Sequence, residues 1–545
     1  MIGHAAPSAF VDTFSTDHLP PPELRPVIDL TALPHLAARA RINAAAELLD
    51  AQVARGHGDR VVIRTPDTEW TYGQLLAESN RIARALVEDF GLVPGNRVLL
   101  RGPNNAMLAA CWFAVLKAGG IAVTTMPLLR SRELTYIANK ARVTLALCDA
   151  RNAAELELAA EAAPTLTRVV LYGGDQSPGT LEGHAYRKSD TAANVDTSSE
   201  DIALIAFTSG TTGQAKGTMH SHRDVVAICD LFPASILRAS PDDLFCGSPP
   251  FAFTFGLGGL LLFPMRIGAA TLLLEQAPPP LLARGIEQFK ATVCFTAPTA
   301  YRAMLGMLGD VAIKSLRKCV SAGEALPRAT FEAWREATGI AIIDGIGATE
   351  MLHIFISAPE DQVRPGSTGR VVPGYTARIV DDDGNEAPTG GIGRLAVRGP
   401  TGCRSLDDPE RQKAYVKDGW NLTGDTYSVD ADGYFWYQAR SDDMIVSSGY
   451  NISGPEVENA LLEHPAVAEC GVVGEPDEDR GSIVKAYVVV QAGHEPDESL
   501  KKELQEFVKA EIAPYKYPRR IEFVASLPRT ETGKLQRFRL RAESR

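Results

Sequence analysis

The sequence predicts an α/β protein: a large N-terminal domain of doubly wound parallel sheets with a small β-barrel-like unit, then a small α+β C-terminal domain. Three observations carry this. Short apolar runs alternate with helical segments from residue 97 to residue 344, as buried parallel strands covered on both faces require. Near Val371 the texture changes to short strands between turn clusters such as Asp381-Asp382-Asp383-Gly384-Asn385. From Asp443 onward, roughly 100 residues mix strands and helices, enough for a domain.

The elements follow in order. After a Pro-rich lead (Leu19-Pro20-Pro21-Pro22), strands are expected at 97–100, 121–124, 144–147 and 169–172. Between them lie helical runs at 106–117, 132–141 and 153–163, with Gly119-Gly120 breaking the first. Strands resume at 202–207, 293–296, 318–321 and 340–344. The small unit takes strands at 377–380 and 394–398. The last segment has a helix opening at Gly454-Pro455, strands at 467–473 and 484–490, and a helix at 500–510.

Composition excludes several classes. With 45% hydrophobic and 22% charged residues, the 545-residue chain is an ordinary globular protein. Its 47 Gly and 35 Pro fall well below the roughly 25–30% of low-complexity sequences. A net charge of −12 argues against a broad nucleic-acid surface. Eight scattered Cys, without CxxC pairs, read as buried small hydrophobes in a reducing compartment. The first Lys or Arg is Arg25, so no secretory signal is expected. Residues 244–265 carry no charge, yet Pro249, Pro250, Pro264 and four Gly make a lipid-facing helix untenable. A cytoplasmic protein that contacts neither membrane nor nucleic acid is expected.

The most informative segment is Thr208-Ser209-Gly210-Thr211-Thr212-Gly213-Gln214-Ala215-Lys216-Gly217, fed directly by the strand at 202–207. Glycines fold the backbone tightly and turn N–H groups inward, while hydroxyls and one Lys add donors and charge, a combination suited to polyphosphate. It is not a Walker A loop: Ala215 stands where the second glycine belongs, and Gly217 where the Mg²⁺-binding hydroxyl belongs.

The loop resembles the phosphate-binding signature of the adenylate-forming superfamily: acyl-CoA synthetases, luciferases and carrier-loading adenylation domains. Further matches follow in that family's order. Ile346-Gly347-Ala348-Thr349-Glu350 resembles the nucleotide and Mg²⁺ motif, with Ile in place of the usual Tyr. Thr423-Gly424-Asp425 resembles the ribose-binding motif, and Arg440-Ser441-Asp442-Asp443 the hinge motif. Pro528-Arg529-Thr530-Glu531-Thr532-Gly533-Lys534 resembles the catalytic-lysine loop. The resemblance implies three parts: residues 1–439 binding acid and ATP, a hinge at 440–442, and a mobile domain at 443–545 carrying the lysine.

It also implies a set of roles. Thr208, Ser209, Gly210, Thr211, Thr212, Gly213 and Lys216 would cover the phosphates of ATP. Gly323, Glu324 and Ala325 would form the adenine-side loop, with Asp344, Gly345, Ile346 and Gly347 beside it. Thr349 would donate to the α-phosphate, and Glu350, a hard oxygen donor, would be the Mg²⁺ ligand. Asp425 and Arg440 would hold the ribose. Lys534 would reach both the carboxylate and the α-phosphate as their bond forms; residues 516–545 hold nine Lys and Arg against three Glu. Pivoting about Asp442 would then bring Ser447, Ser448, Gly449 and Tyr450 to the channel for the CoA thiol.

Phe253, Thr254 and Phe255 lie where this family builds its acyl pocket, and rings with Gly kinks suit a flat slot. Thr349 to Phe355 resembles benzoate-CoA ligases, where His353 would lie beside the aromatic ring together with Gly347. Ser448 to Pro455 and the Pro-rich lead resemble the 2-aminobenzoate branch. As residues alone, His353 and the Phe pair also suit plain core packing. The expected activity is an ATP- and Mg²⁺-dependent ligation of 2-aminobenzoate or benzoate to CoA by a monomer or homodimer. Loading of a carrier protein, a cyclic or medium-chain acid, and a nucleotide sensor remain alternatives.

Overall fold

The computed structural model describes residues 6–208, 215–381, 383–440, 443–447, 450–477, 480–512, 514–529 and 535–543. Two large sheets form the N-terminal part. In the six-stranded sheet, Arg168–Tyr172, Leu145–Asp149, Arg97–Arg101, Ile121–Thr125 and Ile202–Thr208 run parallel in that spatial order. Lys216–Ser221 closes the edge antiparallel to Ile202–Thr208. In the nine-stranded sheet, a parallel centre runs from Ile342–Gly347 through Lys318–Ser321, Val293–Thr296, Leu244–Gly247 and Ala270–Leu272 to Val61–Arg64. Antiparallel strands flank it on both sides.

Local chemistry explains these elements. Every residue of Arg97–Arg101 and Leu145–Asp149 is buried, which is why their sequence shows continuous apolar runs rather than alternation. Helix Ala106–Lys117 starts where the Asn105 side chain accepts from the Leu108 N–H at 2.9 Å. Nearly all its residues are buried, Trp112 and Phe113 included, as befits a helix apolar all round. The charge-free stretch from Leu244 becomes a central strand and then a broken helix over Thr254–Leu257, Gly258–Leu262 and Phe263–Ile267, buried within the protein. Among the described residues no helix is long and apolar enough to cross a membrane. All eight cysteines are buried and free.

The strand expected at 340–344 is observed at Ile342–Gly347. After pairing in parallel with Lys318–Ser321, it continues by pairing antiparallel with Ile354–Ser357, so tertiary pairing carries it into the glycine motif. The small unit is a five-stranded antiparallel sheet built from Thr376–Val380, Ile392–Arg398, Trp420–Val429, Val416–Lys417 and Phe435–Arg440. The C-terminal unit has its own core around Val457, Leu461, Val472, Val484 and Leu504. Its sheet joins Val467–Asp477, Gly481–Val490 and Arg520–Phe523, flanked by helices Gly454–Leu462 and Glu498–Glu511. The long hairpin extends the strand expected at 467–473 because its partner pairs with it through Asp477.

Candidate active site

The candidate residues gather at the carboxyl ends of the parallel strands, where open α/β sheets form their crevices. Thr208 and Lys216 face each other as the last pair of the hairpin Ile202–Thr208 and Lys216–Ser221. Ser209, Gly210, Thr211, Thr212 and Gly213, between them, lie outside the described residues. A Cβ on Gly217 would sit 3.1 Å from the Phe207 ring, so glycine lets the hairpin neck close.

The Thr349–Met351 turn packs beside strand Ile202–Thr208 and is held from several directions. The His220 ring bonds the Thr349 carbonyl through Nε2 at 2.7 Å. Burial pushes the pKa of His220 down to about 4, so at neutral pH the ring is uncharged and Nε2 carries the donating proton. Thr401 donates to the Met351 carbonyl at 2.8 Å. Leu352 takes φ +68°, a costly backbone for a non-glycine that this clamping sustains. A Cβ on Gly347 would lie 2.8 Å from the His353 carbonyl, which explains a glycine where the hairpin turns on itself.

Asp344 is buried and accepts from the Ser321 hydroxyl at 2.6 Å, while Ser357 donates to its carbonyl at 2.6 Å. Burial raises the Asp344 pKa to about 7. Gly345 and Ile346 continue this strand toward Thr349. Gly323 turns at φ +93° immediately beyond Lys318–Ser321 and leads into Glu324 and Ala325. Asp425 is buried in strand Trp420–Val429 and registers directly opposite Arg440. Glu350 is paired with Arg411 from helix Pro409–Tyr415. The Tyr415 hydroxyl, buried without a hydrogen-bond partner among the described residues, feels both Glu350 and Asp425.

A partly exposed ion pair links the C-terminal unit to this crevice. Arg529 reaches Glu324 of the turn after Lys318–Ser321 at 3.6 Å and Glu469 at 2.6 Å. Arg529 also forms a bridge with Leu535. Lys534 itself, with Asp442, Ser448 and Gly449, lies outside the described residues. Ser447 is buried in the ribbon Ile445–Ser447 and Tyr450–Ile452, where it registers opposite Tyr450.

On the acyl side, the His353 ring is enclosed by aromatic rings. Centroid distances are 4.5 Å to Phe263, 5.6 Å to Phe232 and 5.9 Å to Phe255. Among the described residues neither ring nitrogen has a hydrogen-bond partner of ordinary geometry, and burial, opposed in part by the Phe255 backbone, holds the ring neutral by lowering its pKa to about 3. A Cβ on Gly258 would fall 2.4 Å from His353 Cδ2, and one on Gly259 would fall 2.5 Å from the Phe295 ring. Those glycines therefore let the broken helix approach the ring cluster. Thr254 is buried at the first turn of that helix, and Phe253 supplies the backbone carbonyl accepting from Leu257 at 2.8 Å.

Sequence reasoning did not single out Arg411, His220, Tyr415 or Ser321. Each lies in an element whose local pattern says only that it folds. The nearest signal was the helix start Asp408-Pro409, which Asp408 caps by accepting from the Arg411 N–H at 3.0 Å.

No cluster of three or more His, Cys, Asp or Glu able to hold a metal exists among the described residues. One carboxylate, Glu350, at the crevice suits Mg²⁺, which takes one or two carboxylates and otherwise binds substrate phosphates and water.

This arrangement defines an adenylate-forming enzyme. Residues 49–405 match the AMP-binding enzyme family and residues 456–534 the AMP-binding enzyme C-terminal domain, and the chain belongs to that family. It is an AMP-forming acid–thiol ligase that uses ATP, Mg²⁺ and CoA. Benzoate–CoA ligase of Thauera aromatica is 34% identical, over 93% of this chain and 97% of its own. 3-Hydroxybenzoate–CoA ligase of Aromatoleum sp. (strain CIB) is also 34% identical, over 92% and 96%. The crystal structure of an anthranilate CoA ligase in complex with anthranoyl-AMP superposes with a TM-score of 0.88 at 36% identity, covering 93% of this chain and 98% of that one.

Proposed function

We propose that the protein is an aryl-CoA ligase that activates benzoate or 2-aminobenzoate. The observation that carries this is the neutral His353 ring, without a hydrogen-bond partner of ordinary geometry among the described residues, set among Phe232, Phe255 and Phe263. Aromatic walls suit a flat ring, and a buried imidazole without partners is unfavourable until something pairs with it. A 2-amino group on the substrate would donate to one imidazole nitrogen. The similarity to ligases for benzoate, 3-hydroxybenzoate and anthranilate supports the same reading.

Chemistry proceeds in two steps. A carboxylate oxygen attacks the α-phosphorus of ATP, forming acyl-AMP and expelling pyrophosphate. The sulfur of CoA then attacks the acyl carbon, loses its proton, and displaces AMP. Thr208 to Lys216 cover the polyphosphate, Thr349 donates to the α-phosphate, and Asp344 with Gly323 to Ala325 flanks the adenine. Asp425 and Arg440 hold the ribose. Lys534 bridges carboxylate and α-phosphate as the bond forms, placing charge where the equatorial oxygens gain it. Glu350 would hold Mg²⁺, and the bound ion would supply positive charge opposite the phosphates. Ser447 to Tyr450 line the thiol's approach after the domain 443–545 turns about Asp442.

The test is pyrophosphate release with CoA across benzoate, 2-aminobenzoate, cyclohexanecarboxylate and octanoate. The two aromatic acids are expected to lead; a preference for octanoate overturns the slot.

A further inference from the structure

Arg411 stands where two halves of the nucleotide site meet. Its guanidinium donates through Nη2 to Glu350 Oε1 and, at 3.3 Å, to Thr218 Oγ1; Nη1 donates to the Gly217 carbonyl at 3.3 Å. Gly217 and Thr218 lie at the start of the strand leaving the phosphate loop, so one planar fork ties the loop's base to Glu350, which lies 61 residues from Arg411 in the chain. The arm is well anchored. The neighbouring Gln412 donates to the carbonyls of Leu24 and Cys403, each at 2.9 Å, and accepts from the Ser405 N–H at 2.8 Å. The side chain of Arg411 is 9% exposed and that of Glu350 16%, so water screens this pair poorly. Glu350 Oε2 makes no hydrogen bond among the described residues.

We infer that Arg411 is a positioning residue for the metal: it grips Glu350 Oε1 and the loop base together, presenting Oε2 to Mg²⁺ at a set distance from the bound phosphates. A lysine could supply charge but not the fork that spans Glu350, Thr218 and Gly217. The inference rests on Glu350 as the Mg²⁺ ligand proposed above. Arg411 touches neither the acid nor the thiol, and acts through Glu350.

The experiment titrates Mn²⁺, followed by electron paramagnetic resonance, into the full-length protein saturated with α,β-methylene-ATP. Wild type, Arg411→Met, Arg411→Lys and Glu350→Gln are compared. Orienting partners of metal ligands typically contribute about 10–100-fold in affinity, and Arg411→Met should lose that much. Arg411→Lys should fall between it and wild type. In turnover, both variants should need more Mg²⁺ for half-maximal rate and recover as Mg²⁺ is raised, which a merely structural defect would not do. Unchanged or tighter Mn²⁺ binding in folded Arg411→Met overturns the inference. Should that variant not fold, wild-type binding by Arg411→Lys overturns it equally. If Glu350→Gln leaves Mn²⁺ binding intact, the ligand assignment itself fails; if only the Arg411 variants do, the assignment stands and the positioning role falls.

Discussion

The proposed nucleotide end and the proposed acyl slot differ in how their buried polar groups are satisfied. At the nucleotide end, most of the polar groups named above are already paired: Thr349 through its carbonyl to His220, Glu350 to Arg411, Asp344 to Ser321, with the Tyr415 hydroxyl an exception among the described residues. In the proposed acyl slot, His353 is buried among rings with neither nitrogen in a hydrogen bond of ordinary geometry among the described residues. Pairing keeps the reacting geometry in place before ATP arrives, because preorganised donors need no rearrangement at the moment of reaction. An unpaired group does the reverse. It leaves a vacancy in hydrogen bonding that only a substrate with the matching group fills, which is how a slot discriminates between acids of similar size.

The sharpest way to break this contrast lies at the nucleotide end. Lys534→Ala should lower the rate of acyl-AMP formation at least ~10²–10³-fold, equivalent to ~2.7–4 kcal/mol, by removing one well-placed donor. Thioester formation from synthetic acyl-AMP should persist; equal loss in both steps would contradict the role. Next in size, His220→Phe fills the same space yet leaves the Thr349 carbonyl unpaired. Loosening of the turn should lower kcat/KM by about 2–13-fold, the net worth of one hydrogen bond at ~0.5–1.5 kcal/mol. Retention of full activity would show that this pairing does not hold the turn.

An effect of similar size is expected in the slot. His353→Leu should shift the ratio of kcat/KM for 2-aminobenzoate over benzoate by about 2–13-fold toward benzoate, since one hydrogen bond contributes about 0.5–1.5 kcal/mol. An unchanged ratio would reduce His353 to packing. A separate effect is on stability against pH. The His353 pKa falls from 6.5 unfolded to about 3 folded, so the unfolded chain binds more protons between those values. Its contribution is fully present above pH 6.5 and is lost as pH falls toward 3. His353→Leu should therefore flatten the decline of Tm between pH 6.5 and 4; an identical slope would mean that the ring titrates normally.

Much of this site is written in short segments. The run from Thr208 to Gly217 needs only local chemistry to be recognised, because glycines, hydroxyls and a lysine after a strand have few other uses. The same holds for Gly347 to Glu350 and Thr423 to Asp425. Arg411 and His220 were illegible for a physical reason: their bonds cross 61 and 129 residues of chain, and nothing in their own neighbourhoods distinguishes them from surface or core residues. Strand Ile342–Gly347 ran past its expected end because Ile354–Ser357 supplied a partner, another effect invisible to local propensity.

By itself, the sequence determined the alternation of buried strands and helices, the positions of the glycine-bearing loops and the order of the motifs, since each depends on backbone freedom and polarity within a few residues. Only the tertiary structure decided which buried polar groups are paired and which stand open. Pairing at atomic distance depends on where the sheets bring distant residues together, and whether His353 is satisfied or waiting depends on every ring around it.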